Sequence, residues 1–343
     1  MRILIVRYGA WGDSIIITPL IRYFSRNHEV YLHTSETGMN ILALNPCIAK
    51  FIPYESDTVP DHKLQDYWEK LAKKFECHWL INMCESIERA ISLHPIDPRY
   101  AYTKPERREI CDKNFYEYSF YHAGFPVPEE SLTPEMFFSG EEEKTVTDFF
   151  QKLNDKFVIL WGLSGSGLNK TYPWTDYIIG DLLRENEDVV VVTVGDELSQ
   201  VLESHEHERV IRMCGKWTMR ESSLACKYAS LVVAPDTGLL HASGCFDTPK
   251  IGLIGSNTIN NITKHFKNDY SFEADSQTVP CAPCFRIVYS ASKQCPIDDM
   301  NYLPHCMSRG IDPRKVLERI EYIIQRHGKR NNLLPSLQHQ NAS

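Results

Sequence analysis

The stretch Val232-Val233-Ala234-Pro235-Asp236-Thr237-Gly238-Leu239-Leu240-His241 sets the reading of the whole chain. Apolar, mostly β-branched residues over 231–233 predict a buried strand. Ala-Pro-Asp-Thr-Gly breaks it, and the small-residue pattern over 239–245 predicts a helix. Such a helix aims the free backbone N–H groups of Thr237 to Leu239 from the carboxyl end of a strand. Orphan donors and the helix dipole there favour an anion such as phosphate. The competing reading is an ordinary strand-to-helix turn with Asp236 as its N-cap.

The same alternation recurs on both sides. Strands are predicted at 157–161, 189–194, 209–213 and 250–254, with helices near 174–185, 198–205 and 220–229. An earlier series has strands at 2–7, 29–33, 50–53 and 79–84, with helices near 14–26, 38–44 and 61–75. This βα pattern predicts parallel, doubly wound sheets. A chain of 343 residues exceeds one usual domain, so two are expected, each with its own core. The fold class is α/β, with two Rossmann-like domains facing a cleft at their strand carboxyl ends. The first domain is placed at 1–150 and the second at 151–312. A helix at 313–327 follows, with Val316, Ile320, Ile323 and Ile324 on one stripe, positioned to pack across both domains. The polar tail 328–343 is expected to be disordered. Residues 86–108, rich in His, Pro, Tyr and Arg, read as loops over the first domain's cleft face, and a helix at 114–124 closes that domain.

Composition narrows the function. Hydrophobic residues make up 43% and charged residues 24%, the balance of a soluble globular protein. A net charge of −8 argues against generic nucleic-acid binding, though a local basic pocket for a small anion is compatible with it. No apolar run approaches the roughly 20 residues of a membrane span. Arg7 and Asp13 interrupt the apolar N-terminus too early for a signal peptide, so the chain reads as cytoplasmic, with peripheral membrane contact left open. Seven of the eleven cysteines are scattered in mostly apolar segments and read as small buried hydrophobes. The odd total argues against a disulfide framework.

Three further loops follow predicted strands of the second domain. Ser164-Gly165-Ser166-Gly167-Leu168-Asn169-Lys170 offers backbone amides, hydroxyls and a lysine to an oxyanion, without the Gly-Lys-Ser/Thr of a Walker A loop. Glu197, in Gly195-Asp196-Glu197, suits a ribose diol or a helix N-terminus. Trp217 suits stacking on a base, or a place at the domain edge. Together with the opening turn these residues line one sheet edge and suit a nucleotide diphosphate. The first domain contributes Tyr8-Gly9-Ala10-Trp11-Gly12-Asp13 after its first strand, which lacks the dinucleotide fingerprint Gly-x-Gly-x-x-Gly.

These motifs carry a resemblance. Gly12-Asp13-Ser14-Ile15-Ile16-Ile17-Thr18-Pro19-Leu20 resembles the N-terminal motif of glycosyltransferase family 9, the ADP-heptose heptosyltransferases. Ser164 to Trp174 is similar to that family's Ser…Lys-x-Trp-Pro loop, with Tyr172 where the family usually has tryptophan. Asp236 to His241, followed by Asp247-Thr248-Pro249 and Leu253-Ile254-Gly255, resembles its most specific motif. The resemblance implies a GT-B fold and inverting transfer from a nucleotide diphosphate sugar, commonly ADP-heptose, to a saccharide such as a lipopolysaccharide core or to a protein hydroxyl. By position, Asp13 resembles the general base. Lys170, Ser164, Gly165 and Ser166 resemble the phosphate contacts, Glu197 the ribose contact and Trp217 an adenine neighbour. Asp236, Thr237, Gly238 and His241 resemble the donor-site turn. Like charge keeps Asp236 itself off the diphosphate, leaving it to cap, to orient Lys170 or to bind a sugar hydroxyl.

No carboxylate pair stands out for Mg²⁺, so metal-independent transfer with no catalytic cofactor is expected. The late cysteines Cys281, Cys284, Cys295 and Cys306 have spacings that suit a tetrahedral structural site for zinc or iron, or remain plain thiols. Two other functions stay open: a GT-B-type nucleotide-sugar epimerase, and a non-catalytic nucleotide-sugar or metal-binding protein. Arg89, His94, Arg99, Lys104, Arg107 and Arg108 offer charge to an anionic acceptor or form a solvated face.

Overall fold

The computed structural model describes residues 1–54, 59–288, 295–298 and 300–328. Ten strands form two sheets: β1 (Arg2–Arg7), β2 (Glu29–Thr34), β3 (Lys50–Pro53) and β4 (Trp79–Asn82), then β5 (Phe157–Gly162), β6 (Val189–Val194), β7 (Val210–Arg212), β8 (Leu231–Pro235), β9 (Lys250–Ile254) and β10 (Phe272–Glu273). The first sheet has the order β3-β2-β1-β4 and the second β10-β9-β8-β5-β6-β7. All named pairings are parallel, with Ile3 opposite both Val30 and Trp79, and Ile159 opposite both Val191 and Leu231. Strands β5, β6, β8 and β9 are buried along their whole length, as strands covered on both faces must be.

The strand orders fix where a ligand can enter. In each sheet the direction of winding reverses once, and the crevice opens beside the loops that leave the two strands at the reversal. In the first sheet these follow β1 and β4. In the second they follow β5 and β8. The opening stretch of sequence therefore leaves β8 at the second sheet's crevice.

Three expectations change. Residues 14–26 form two helices, Trp11–Ile16 and Thr18–Ser25, because Pro19 cannot donate a backbone hydrogen bond and must sit in the first turn of a new helix. The cores are not separate: one apolar cluster runs from Ile3, Ile15 and Leu20 through Tyr116 and Phe120 to Leu160, Val192 and Leu240. The helix Pro313–His327 buries Val316, Ile320 and Ile323 in the second sheet's outer cluster, with Trp161 and Ile251, instead of bridging the domains. Past Gly328 the expected polar tail lies outside the described residues.

Residues 86–134 hold a helix that the sequence did not suggest, Lys104–Cys111, started by a capping box between Thr103 and Glu106. Its neighbours bind across the domain seam. Asn114, which caps the helix Phe115–His122, donates to the Asn260 carbonyl, and Asn261 donates back to the carbonyls of Cys111 and Lys113. The cations expected to meet an acceptor have partners within the chain: Arg89 has Glu85, Arg99 has Asp97, Arg108 has Asp112, Arg107 the Cys284 carbonyl and Lys104 the Pro280 carbonyl. His94 Nδ1 accepts from the Ile96 amide. No helix among the described residues is long and apolar enough to cross a membrane.

Candidate active site

At the first crevice, β1 ends in Arg7, and Gly9 turns the chain into the helix Trp11–Ile16. Gly9 has φ +132°, and a Cβ there would stand 2.6 Å from Asp13 Oδ2, so only glycine fits. Asp13 sits at the third helical position, where its Oδ2 accepts the Ala10 amide at 2.8 Å. Arg7 is 2% exposed. Its Nη2 lies 3.0 Å from Asp13 Oδ1 and 3.1 Å from Glu88 Oε1, while Nη1 lies 3.1 Å from Glu88 Oε2 and donates to the Met83 carbonyl. Glu88 arrives on the loop after β4, within hydrogen-bond reach of Asp13. Burial, and then the Glu88 charge, push the Asp13 carboxyl up to about 6, against the pull of Arg7. Burial also disfavours the Glu88 anion, but its double contact with Arg7 outweighs that and holds it below the ordinary range.

A carboxylate pair thus exists that the sequence did not reveal, with a guanidinium between its members. Neither Arg7 nor Glu88 was singled out. The one signal was a charged residue closing an otherwise apolar strand, since a buried arginine needs carboxylate partners.

At the second crevice, Thr237 occupies the N-cap position of the helix Gly238–Ser243, and its hydroxyl makes no capping bond. Asp236 is therefore not the cap. It turns inward, 8% exposed, accepting from Asn257 Nδ2 at 2.9 Å, with Lys170 Nζ at 4.0 Å and His241 Nε2 at 3.7 Å. Burial opposes its ionisation, but Lys170, His241 and Asn257 prevail and hold the carboxyl well below its usual range. His241 Nδ1 meets the Tyr116 hydroxyl at 3.0 Å, a contact from the first domain's part of the seam that sequence gave no reason to expect.

The two crevices touch. A Cβ on Gly12 would lie 2.9 Å from His241 Cδ2, and one on Gly238 only 2.4 Å from the Trp11 ring. Around this contact the side-chain atoms Arg7 Nε, Trp11 Nε1, Thr237 Oγ1 and Asn257 Oδ1 are buried with no hydrogen-bond partner among the described residues. Buried polar atoms are normally paired, so a cluster of unpaired ones points to a ligand or ordered water.

The remaining expected residues spread outward. Gly165 packs over Thr237 and Lys170, and Ser164 Oγ meets Ser199 Oγ at 2.9 Å, itself tied to Asp196. Gly165 and Ser166 are exposed. Tyr172, at the departure from the family's tryptophan, is buried and donates to the Ile311 carbonyl. Glu197 is exposed beside Gly215. Trp217 is half-buried and stands edge-on to Phe149, with ring centroids 4.8 Å apart.

The four late cysteines are free thiols. Among the described residues no group of three or more Cys, His or carboxylate side chains is spaced to hold a metal ion. They do share one neighbourhood. Burial, and then Cys284, Cys295 and Cys281, raise the Cys306 thiol well above its usual value, and burial followed by Cys284 and Cys281 pushes Cys295 up to about 11.

A two-sheet α/β chain with a lined crevice at each facing switch point offers a place for a ligand between its halves. The chain belongs to glycosyltransferase family 9 (heptosyltransferase), whose family model matches residues 95–294, more than half its length. No curated protein matches the sequence. Among solved structures, a family 9 glycosyltransferase from Veillonella parvula is similar with a TM-score of 0.66 at 14% identity, covering 95% of this chain and 97% of that one. The ADP-heptose lipopolysaccharide heptosyltransferase II of E. coli follows at 0.63 and 14%, covering 95% and 99%. The iron-containing dodecameric glycosyltransferase TibC of enterotoxigenic E. coli gives 0.59 and 13%, covering 95% of this chain and 76% of TibC. The fold is GT-B.

Proposed function

We propose that the protein is an inverting glycosyltransferase that moves a heptose-type sugar from a nucleotide diphosphate donor, ADP-heptose first among them, to a hydroxyl of a saccharide or a protein. The observation that carries this reading is the contact between the Asp13 loop and the Asp236–His241 turn, with four unpaired buried polar atoms around it. Asp13 takes the proton of the acceptor hydroxyl as that oxygen bonds to the sugar's anomeric carbon. The bond from that carbon to the diphosphate breaks, and its electron pair leaves on the phosphate oxygen. Lys170 and the Thr237–Gly238 backbone meet the growing negative charge. Asp236 stays off the diphosphate and holds Lys170 and His241 in place. Glu197 and Trp217 serve the nucleoside. No step calls for a catalytic metal.

Incubation with ADP-heptose and a saccharide acceptor should release ADP. Asp13→Asn should keep donor binding by calorimetry and lose about 10²- to 10⁴-fold in turnover. Full turnover in that variant removes Asp13 from the role. Donor converted without any acceptor would instead favour an epimerase.

Cys281, Cys284, Cys295 and Cys306 share one neighbourhood, and drawn together they would supply four thiolates to a structural zinc or iron that pins the loops between residues 276 and 310. Elemental analysis should then find about one metal per chain, lost in Cys306→Ser.

A further inference from the structure

Two carboxylates and one guanidinium share the first crevice, and their charges do not balance. Arg7 carries one positive charge between Asp13 and Glu88, so the ionised group has a net charge of −1 in a buried place. Glu88 grips the guanidinium with both oxygens, at 3.1 Å each, whereas Asp13 has one such contact at 3.0 Å. The two acids are therefore unequal: Glu88 is the fixed counter-ion of Arg7, and Asp13 carries the uncompensated charge. Asp13 also lies on the cleft side, on the helix that touches His241.

We propose that Glu88 is a positioning residue for sugar transfer, which fixes Arg7 and, as a second negative charge beside Asp13, makes Asp13 the group that accepts the acceptor's proton. The inference rests on the reading of Asp13 as base. When the acceptor O–H bond breaks, its proton moves to Asp13, and the buried group goes from −1 to neutral. Proton uptake thus relieves a like-charge contact. Without the Glu88 charge, Asp13 and Arg7 form a balanced pair, and protonating Asp13 would strand a buried cation.

Other ionisable groups face this cluster. Cys84 and Glu85 lie on the loop after β4, with the Cys84 thiol pushed up to about 11 by burial. Tyr8 adjoins Cys84. His122, on the helix Phe115–His122, is held below its ordinary value by burial while its Nε2 meets the Asn82 carbonyl. Across the seam stand His241 and Asp236. Near neutral pH, Cys84 and Tyr8 stay uncharged. His241 stands beside Asp236, and Glu85 is paired with Arg89. Glu88 is thus the second negative charge in direct reach of Asp13.

The test is carbon-13 NMR of the aspartate carboxyls in the full chain, with the Asp13 signal identified by its loss in Asp13→Asn. It is read beside the pH dependence of kcat and the donor KM with ADP-heptose. In Glu88→Gln the Asp13 midpoint should fall from about 6 by roughly one unit. In that variant kcat near pH 8 should fall about 3- to 10-fold, with donor KM unchanged. Glu88→Asp, which keeps the charge, should restore most of both. An Asp13 midpoint that stays or rises in folded Glu88→Gln overturns the proposal. A wild-type chain that transfers no sugar, while Glu88→Gln still lowers the Asp13 midpoint, upholds the coupling and removes the transferase reading.

Discussion

Arg220 offers the sharpest test of how the two domains are held in register. It lies on the helix Met219–Tyr228 of the second domain, almost fully buried. Its guanidinium donates to the Asn40 and Ile41 carbonyls at 3.1 Å each, at the end of the first domain's helix Glu36–Ile41, and to the Phe137 carbonyl at 2.6 Å. It also pairs with Glu142, Nη2 to Oε2 at 3.0 Å. Arg220 is the first cause that moves the Glu142 carboxyl from its ordinary 4.5 down to about 2, helped by Ser139 and opposed by burial. At about 1.4 kcal/mol per unit the shift sets an upper bound of about 3 kcal/mol. Glu142 is partly open to solvent, which reduces the ion-pair share to about 2 kcal/mol. Arg220→Met also strands the Ile41 and Phe137 carbonyls, while the Asn40 carbonyl keeps the Ala43 amide, so the total loss at pH 7 should be about 4 kcal/mol. A depressed carboxyl contributes stability that is present above pH 4.5 and lost as pH falls toward 2. The gap between wild type and variant in urea unfolding should therefore shrink by about 1 kcal/mol between pH 7 and pH 3. A gap below 1 kcal/mol at pH 7, or one that does not change with pH, would refute the clamp.

Three further outcomes follow from the site. If Asp13 must be ionised to act and titrates at about 6, kcat/KM for ADP release should fall about tenfold from pH 7 to pH 5, whereas an ordinary carboxyl would leave it nearly flat there. Lys170→Ala should lower turnover about 10²- to 10³-fold in the same assay, the loss seen when a donor to a developing anion is removed. Gly238→Ala places a methyl 2.4 Å from the Trp11 ring, and calorimetric melting should show a loss of about 1–3 kcal/mol together with reduced turnover.

The sheets were legible because their strands announce themselves. Ile-Leu-Ile-Val in β1 and Val-Val-Val-Val-Thr-Val in β6 have no other home than a covered parallel sheet, and glycine or proline marks most of their ends. The nine expected strands end within two residues of the observed ones, and the two-residue β10 was not expected. The turn at Asp236 was also legible as a strand-to-helix corner, but not its wiring. Thr237 has φ −138° and ψ 171°, the extended backbone of an N-cap, and that shift of one residue frees Asp236 to turn toward Lys170, His241 and Asn257. The tight helix Lys104–Cys111 was missed because Lys, Pro, Glu and Arg dominate it and it presents little apolar periodicity.

Glu88 was out of reach for a deeper reason. It contacts Arg7 across 81 residues, and what brings them together is the order β3-β2-β1-β4, which sets β4 beside β1. Local pattern gives strands; it does not give their neighbours. Once β1 and β4 are neighbours, the loops after them must share a crevice, and an arginine buried at the end of β1 must find its carboxylates there. The same logic applies at the seam. Tyr116 reaches His241 across 125 residues, Asn114 donates to the Asn261 carbonyl across 147, and Asn261 donates to the Cys111 carbonyl across 150, because residues 111–122 lie against the second domain. The Asp13 loop is thus held from one side by the strand order and from the other by this polar seam. Its distance from the Asp236–His241 turn depends on both, so a variant that loosens the seam, such as Tyr116→Phe, should change turnover while leaving the Asp13–Arg7–Glu88 group intact.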